Sequence, residues 1–152
     1  MYKLQTNTNI QDQENEELLE SKSIVEKRGK LLYPDLSFVI NGVLISVHKE
    51  IGGGHLERYY QKAVAIALTK AGLKFVEQYY VPLKFDNQIV GKYYLDFLIE
   101  DRIVLELKRA AFVPARLVEQ TKQYLSALNL KLAIVACFTY QGVIIKRILN
   151  EY

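Results

Sequence analysis

The first part of the chain with a regular hydrophobic pattern carries apolar residues at the spacing of one helical face. One such face begins at Pro34 and continues to about Glu50, and a second begins near Leu56 and ends near Gly72. Three successive glycines at 52–54 separate the two faces, and glycine runs interrupt helices. The pattern therefore predicts two helices that pack as an N-terminal helical hairpin.

From residue 73 onward the pattern changes to strand-like segments with one further helix. Three segments rich in Val, Ile, Tyr and Phe are separated by short connections, which require neighbouring antiparallel strands. A helical face follows, then a nearly continuous apolar run of strand length, then an edge strand. The predicted strands are Lys74–Phe85, Ile89–Ile99, Ile103–Arg109, Lys131–Thr139 and Val143–Ile148, and the third helix starts after Pro114 and reaches Leu128.

The strand, helix and strand between residues 103 and 139 form a βαβ unit, so its two strands should be parallel with a right-handed crossover. Together with the antiparallel segments, this unit predicts an α/β fold with a mixed β-sheet flanked by helices. Residues 1–33 are mostly polar or charged, so we interpret them as a polar N-terminal extension. Residues 34–152 are interpreted as the folded domain.

Composition narrows the classes of protein to which the chain can belong. Its 152 residues are 50% hydrophobic and 24% charged, which is ordinary for one globular domain. The one cysteine, Cys137, lies in an apolar run, which excludes an intrachain disulfide and a thiolate zinc site. No apolar run approaches the roughly 20 residues of a membrane span, and the amino terminus lacks a signal-peptide pattern. We therefore expect no membrane association and a cytoplasmic location, while the net charge of +3 favours a nucleic-acid partner only weakly.

Three charged residues lie inside segments that are otherwise strongly apolar: Asp96 in one predicted strand, and Glu106 and Lys108 in the next. Charge in such segments is costly unless it is paired or bound to a metal. Glu106 and Lys108 are two residues apart, so both point to the same face. If the connecting loop has three residues, Ile99 pairs with Ile103 and Asp96 falls opposite Glu106 on that face. A two-residue loop would send Asp96 to the other face.

Two carboxylates beside an ammonium group suit a hard divalent cation such as Mg²⁺ or Mn²⁺, which accepts one or two carboxylates and keeps several waters. This combination is typical of phosphodiester hydrolysis, in which Lys108 would orient the water and stabilise developing negative charge. The alternative is an ordinary salt bridge within the strand and a solvated Asp96.

A further motif precedes the predicted sheet. The segment from Gly54 to Tyr60 reads Gly-His-Leu-Glu-Arg-Tyr-Tyr, with the spacing Gly-x-x-Glu-x-x-Tyr. This segment, together with residues 32–37, 47–52 and 120–125, resembles the bacterial GxxExxY proteins, which are grouped with the PD-(D/E)XK nuclease superfamily. The resemblance covers roughly residues 31–149 and implies a restriction-endonuclease-like fold.

The resemblance also implies roles for individual residues. It implies that Asp96 and Glu106 bind the metal, that Lys108 completes the Glu-x-Lys motif, and that Glu57 assists metal or water from its helix. Leu95 stands where the superfamily name has proline.

A Gln-x-x-x-Tyr motif on the helix after the Glu-x-Lys strand belongs to exonuclease-like members of the superfamily, and it matches Gln120 and Tyr124 here. Residues spaced four apart share one face of a helix, so both side chains could reach the site or the phosphate backbone. The alternative for Tyr124, and equally for Tyr60, is a core-facing position.

Two hypotheses about function follow from the sequence. The first is a magnesium-dependent nuclease that acts on nucleic acid, with DNA favoured over RNA. The second is a non-catalytic module that uses the same fold to bind nucleic acid or a protein. The intact set of Glu57, Asp96, Glu106 and Lys108 favours the nuclease. A targeting protein partner is expected because no specificity domain is recognisable. The resemblance allows a homodimer as the alternative, since many nucleases of this type dimerise, although no dimer face is identifiable in the sequence.

Overall fold

The structure, a computed structural model, describes residues 32–150. The extension predicted over residues 1–33 lies outside the described residues except for its last two, and its boundary with the domain stays a prediction. The described helices are α1 (Pro34–Ile51), α2 (Glu57–Lys70) and α3 (Ala115–Leu128), and the strands are β1 (Phe75–Phe85), β2 (Gln88–Ile99), β3 (Ile103–Arg109), β4 (Leu132–Phe138) and β5 (Val143–Leu149).

All three described helices are followed by a residue with left-handed backbone geometry, which for α1 is Gly52 with φ 75°. Gly72 follows α2 with φ 75°, and the next amide, Leu73 N–H, donates back to Leu68 O at 3.1 Å. Asn129 follows α3 with φ 53°, and the next amide there donates to Leu125 O at 3.0 Å. Such caps satisfy carbonyls that the helix leaves unpaired, and glycine and asparagine tolerate the geometry best. The predicted helix ends therefore have a local cause.

The described strands form one five-stranded sheet in the order β1-β2-β3-β4-β5. β3 and β4 pair in parallel, joined through α3, and the other neighbours are antiparallel, so the predicted mixed sheet is confirmed. Ile99 pairs with Ile103, which gives the β2–β3 connection the three residues that the Asp96 argument required. The β1–β2 connection is tighter, with Asp86 and Asn87 both at positive φ, as two-residue hairpin turns prefer.

Both faces of the sheet are covered at its centre. All seven residues of β4 are buried, as expected for a strand with helices on either side. On one face Tyr124 and Leu125 of α3 join a core cluster that includes Val104 of β3. On the other face Tyr60 of α2 stacks on a phenylalanine of β4.

The helices in the described part of the chain are all too short or too polar to cross a membrane. Both helices predicted ahead of the sheet are present as α1 and α2, and their packing as a hairpin stays a prediction.

Candidate active site

The backbone pairing between β2 and β3 stops after three residue pairs, although both strands continue. The next position along both strands is occupied by Asp96 and Glu106. Asp96 N–H donates to Glu106 Oε1 at 3.1 Å, and Leu107 N–H donates to Asp96 Oδ2 at 2.7 Å. The two carboxylate side chains thus accept hydrogen bonds from backbone N–H groups that have no partner in the strand pairing. We call this opening, defined by Asp96, Glu106 and Leu107, the fork.

Asp96 also interrupts the pairing on the other edge of its strand. The β1–β2 ladder skips Gln78 and Asp96, which face each other, and resumes on either side of them. Gln78 has φ 48°, a geometry that is uncommon for a residue with a side chain, and its side chain lowers the pKa of Asp96. Leu95 and Leu98 belong to the same core cluster although regular alternation would send them to opposite faces. Asp96 therefore occupies a break in both of its strand's ladders.

The first two turns of α2 bridge the separated strands. Glu57, the first residue of α2, accepts a hydrogen bond from Arg109 N–H of β3 at 3.2 Å. Gln61, one turn later, donates from its side-chain amide to Asp96 Oδ1 at 3.0 Å. Sequence analysis missed Gln61, although its spacing of four from Glu57 puts both on one helix face.

The glycine and the tyrosine of the Gly-x-x-Glu-x-x-Tyr motif have structural tasks. Tyr60 is fully buried and stacks on Phe138, with ring centroids 4.2 Å apart. Its hydroxyl donates to Gly52 O at 2.7 Å and accepts from His55 N–H at 3.3 Å. Gly54 adopts φ 84°, which favours glycine. The two residues fix the loop that leads into α2, and the loop places Glu57.

Burial dominates the electrostatics of the fork. Burial, followed by the charge of Asp96, raises the pKa of Glu106 to about 9, while the Asp96 N–H and the Lys108 ammonium act in the opposite direction. Burial also raises the pKa of Asp96 to about 6, against the hydrogen bond from Leu107 N–H and with a further rise from the charge of Glu57. The metal-free pair therefore retains a proton at neutral pH.

Lys108 is exposed and lies two residues beyond Glu106 on the same strand. The salt bridge that its strand position could form is not present: within residues 32–150, Lys108 makes neither an ion pair nor a side-chain hydrogen bond. Its charge nevertheless lowers the pKa of both Asp96 and Glu106. The ammonium group is close enough to act on the fork and keeps its three donors for a ligand.

The structure places the two predicted substrate-binding residues of α3 differently. Tyr124 is buried, with its ring 5.4 Å from that of Tyr93. Burial, with a contribution from the charge of Glu106, raises the pKa of Tyr124 to about 12. Gln120 is half-buried, and its side chain hydrogen-bonds to no other residue within 32–150. Tyr124 thus combines the core position with proximity to the fork.

The acidic donors at the fork suit a small hard cation. In the described part of the chain, no group of three or more His, Cys, Asp and Glu side chains is arranged to hold a metal ion. Two adjacent carboxylates remain, which is the number that magnesium accepts from a protein while it keeps waters for a phosphate substrate. Asp96 and Glu106 therefore fit such an ion.

Comparison with known proteins gives the family. No curated protein and no solved structure matches the chain. A family model described as the PD-(D/E)XK nuclease superfamily matches residues 34–148, which extend from the start of α1 almost to the end of β5. Nuclease activity is the general property that this superfamily suggests, and its nucleases generally use divalent metals. The chain belongs to the PD-(D/E)XK nuclease superfamily.

Proposed function

We propose that the chain is a metal-dependent nuclease that hydrolyses phosphodiester bonds, with DNA as its substrate and the fork as its active site. The observation that carries this proposal is a pair of neighbouring carboxylates, Glu106 buried and Asp96 half-buried, which accept backbone N–H groups at the point where backbone pairing stops. Burial raises the pKa of both carboxyls, and the charge of Asp96 raises the pKa of Glu106 further, so ionisation of the pair is opposed. A bound cation would favour the ionised form of both carboxyls, so the arrangement is suited to binding a metal ion.

Asp96 and Glu106 would hold the ion, Mg²⁺ or Mn²⁺. When bound, the ion would neutralise charge on the scissile phosphate and acidify a water molecule. Both carboxylates stay oriented by the chain, because Leu107 N–H holds Asp96 and Asp96 N–H holds Glu106. A carboxylate oxygen has a second lone pair, so these hydrogen bonds leave room for a metal.

The remaining residues act on the substrate or on the carboxylates. The Lys108 ammonium would orient the attacking water and stabilise negative charge that develops at the phosphate. Glu57 is a positioning residue that ties α2 to β3 and adds negative charge near the fork, and Gln61 holds the second oxygen of Asp96. Tyr124 would act on the site indirectly, through the carboxylate of Glu106.

Gln120, on the outer side of the same helix face as Tyr124, would contact the phosphate backbone. Membership in the GxxExxY group, suggested by the motif from Gly54 to Tyr60, is part of this proposal. The expected homodimer or targeting partner and the cytoplasmic location stay predictions.

The test is metal-dependent turnover on single-stranded, duplex and branched DNA and on RNA. We expect the wild type to cleave DNA with Mg²⁺ or Mn²⁺, and Asp96→Asn to lose at least about 10²-fold, the scale for removing one electrostatic group from an active site. Asn keeps an acceptor for Leu107 N–H, so the fold should survive.

Asp101→Asn is the matched control, since Asp101 is exposed in the β2–β3 turn at φ 55°, a geometry that asparagine tolerates. This variant should cleave like the wild type. A wild type that binds nucleic acid but cleaves no substrate with either ion would overturn the nuclease and leave the binding module.

A further inference from the structure

An exposed tyrosine lies in the turn that follows β4, and its backbone is held in place. Tyr140 is 74% exposed. The preceding carbonyl, Thr139 O, hydrogen-bonds to His48 Nε2 of α1 at 2.8 Å. The Thr139 hydroxyl closes the turn through Gly142, accepting its N–H at 3.1 Å. Turns between strands are usually among the more mobile parts of a protein. Because this turn is anchored at several points, it is a candidate for a functional role.

The glycines before α2 bring a second segment against the same turn. A Cβ atom on Gly53 would lie 2.5 Å from Tyr140 Cα, and one on Gly54 would lie 2.9 Å from Tyr140 Cε1. Any side chain at these positions would displace the turn or the ring. The two glycines therefore let the loop support the tyrosine ring from one side while the rest of the ring stays open to solvent.

The ring borders a cavity of about 320 Å³ at the carboxyl ends of β3 and β4. Most of the lining is apolar, and Phe138, Ala110 and Ala111 contribute to it. Arg109 and Gln141 add a cationic group and an amide that can donate and accept hydrogen bonds.

The cavity adjoins the fork. Arg109 follows Lys108 directly in β3, and its N–H is held by Glu57. Along β3, Arg109 of the cavity lies three residues beyond Glu106 of the fork, which is a rise of about 10 Å. A nucleic-acid strand with a phosphate at the fork would place a neighbouring base near Tyr140.

We propose that this cavity, with Tyr140 as its stacking platform, binds an unpaired nucleobase of the substrate strand. The inference rests on the proposed function and gives it a substrate class, namely single-stranded or locally unpaired nucleic acid. An exposed aromatic ring on an anchored turn, with an arginine among the residues that line the same cavity, suits the binding of single strands with little sequence preference. A base inside a regular duplex is stacked on both sides and cannot enter.

The test uses a short single-stranded DNA that carries the fluorescent base 2-aminopurine, added to the full chain without divalent metal so that binding is observed without turnover. We expect wild type to quench the fluorescence by stacking. Tyr140→Ala should abolish the quenching and weaken binding by about 5- to 150-fold, the range for losing one base–aromatic stack. Tyr140→Phe should behave like wild type because it keeps the ring.

Phe85→Ala is the matched control, since Phe85 is 75% exposed at the far end of the β1–β2 hairpin and should leave binding unchanged. Ala111→Leu provides a second variant that keeps the tyrosine and fills the cavity, and it should also weaken binding. The same probe inside a fully paired duplex should show little quenching.

Unchanged binding and quenching in Tyr140→Ala, or equal quenching by duplex and single strand, would overturn the base site. The two proposals fail separately. Tyr140-dependent quenching by a wild type that cleaves nothing would support the base site and remove the nuclease. Metal-dependent cleavage of single-stranded DNA with an unchanged KM in Tyr140→Ala would support the nuclease and remove the base site.

Discussion

The two edges of β3 differ in which groups accept hydrogen bonds from the backbone. Along one edge β3 pairs with β4 over seven residue pairs, without interruption. Along the other edge β3 pairs with β2 over only three residue pairs. Beyond these pairs, backbone N–H groups donate hydrogen bonds to the side chains of Asp96, Glu106 and Glu57. All three of these acceptors are carboxylates.

The regular edge between β3 and β4 stabilises the domain, whereas the fork lowers its stability. Regular pairing satisfies every amide with a neutral carbonyl and buries apolar side chains. The fork satisfies its amides with carboxylates that burial disfavours in their charged form. The regular edge therefore serves as the scaffold for the fork, in line with the general observation that unfavourable local structure concentrates at functional sites.

Truncation of a buried side chain on the regular edge should give the largest change in stability. Ile134 of β4 is fully buried, and Ile134→Ala removes apolar contacts and leaves a cavity. We expect the free energy of unfolding to fall by about 2–5 kcal/mol. Denaturant titration measures this, and Asp96→Asn in parallel should cost far less. An Ile134→Ala protein as stable as wild type would contradict the assignment of the scaffold.

Removal of the Lys108 ammonium group, which lies beside the fork, should give the largest change in the rate of cleavage. Lys108→Ala should reduce cleavage by about 10²–10³-fold because one preorganised charge partner is removed. Metal affinity should stay the same or improve, since an ammonium repels the ion. Lys108→Arg should fail as well, because a broad planar guanidinium cannot replace a compact ammonium. Steady-state kinetics beside metal titration separates the two effects, and unchanged turnover in Lys108→Ala would remove its catalytic role.

The carboxylate pair makes the metal-free protein sensitive to pH. The pKa of Glu106 rises on folding from 4.5 to about 9, so the folded state binds more protons than the unfolded state between these values. Stability should therefore fall as pH rises through this window. Glu106→Gln stays neutral and keeps an acceptor for Asp96 N–H, so its advantage in Tm over wild type should grow from pH 4.5 to 9.

Thermal melts in EDTA across this range measure the difference. Glu77→Gln, at an exposed position of β1, is the control and should show no such trend. A difference between Glu106→Gln and wild type that is independent of pH would show that Glu106 is not buried beside Asp96.

The bridge from α2 should have the smallest effect. Gln61→Ala removes one hydrogen bond to Asp96, and a net hydrogen bond contributes about 0.5–1.5 kcal/mol. We expect metal affinity to fall by about 2- to 10-fold with the fold intact. Lys62→Ala, at the next and exposed position, should bind metal like wild type. Equal affinities in the two variants would limit Gln61 to packing.

Much of the fork could be predicted because local rules fix it. Three residues between two strands set the pairing of Ile99 with Ile103, and that register places Asp96 opposite Glu106. The βαβ unit followed in the same way from the order of its elements. The predicted placement of Glu57 on a helix ahead of the sheet came from resemblance, and the structure places it beside β3.

The rest depends on contacts between distant parts of the chain. The left-handed backbone of Gln78 has no signal in its own sequence, because glutamine has no preference for that geometry. The approach of Gly53 to Tyr140 joins residues that are far apart in sequence. Gln61 is an exception, since its spacing of four from Glu57 is visible in the sequence.

The central claim is that the fork binds a divalent cation through Asp96 and Glu106. Isothermal titration of Mg²⁺ and of Mn²⁺ into wild type, Asp96→Asn and Asp101→Asn tests it without a substrate. We expect wild type and Asp101→Asn to bind one ion with equal affinity and to release protons on binding, since Glu106 holds one at neutral pH. Asp96→Asn should bind at least about tenfold more weakly. Absence of binding by wild type, or wild-type affinity in Asp96→Asn, would contradict the claim.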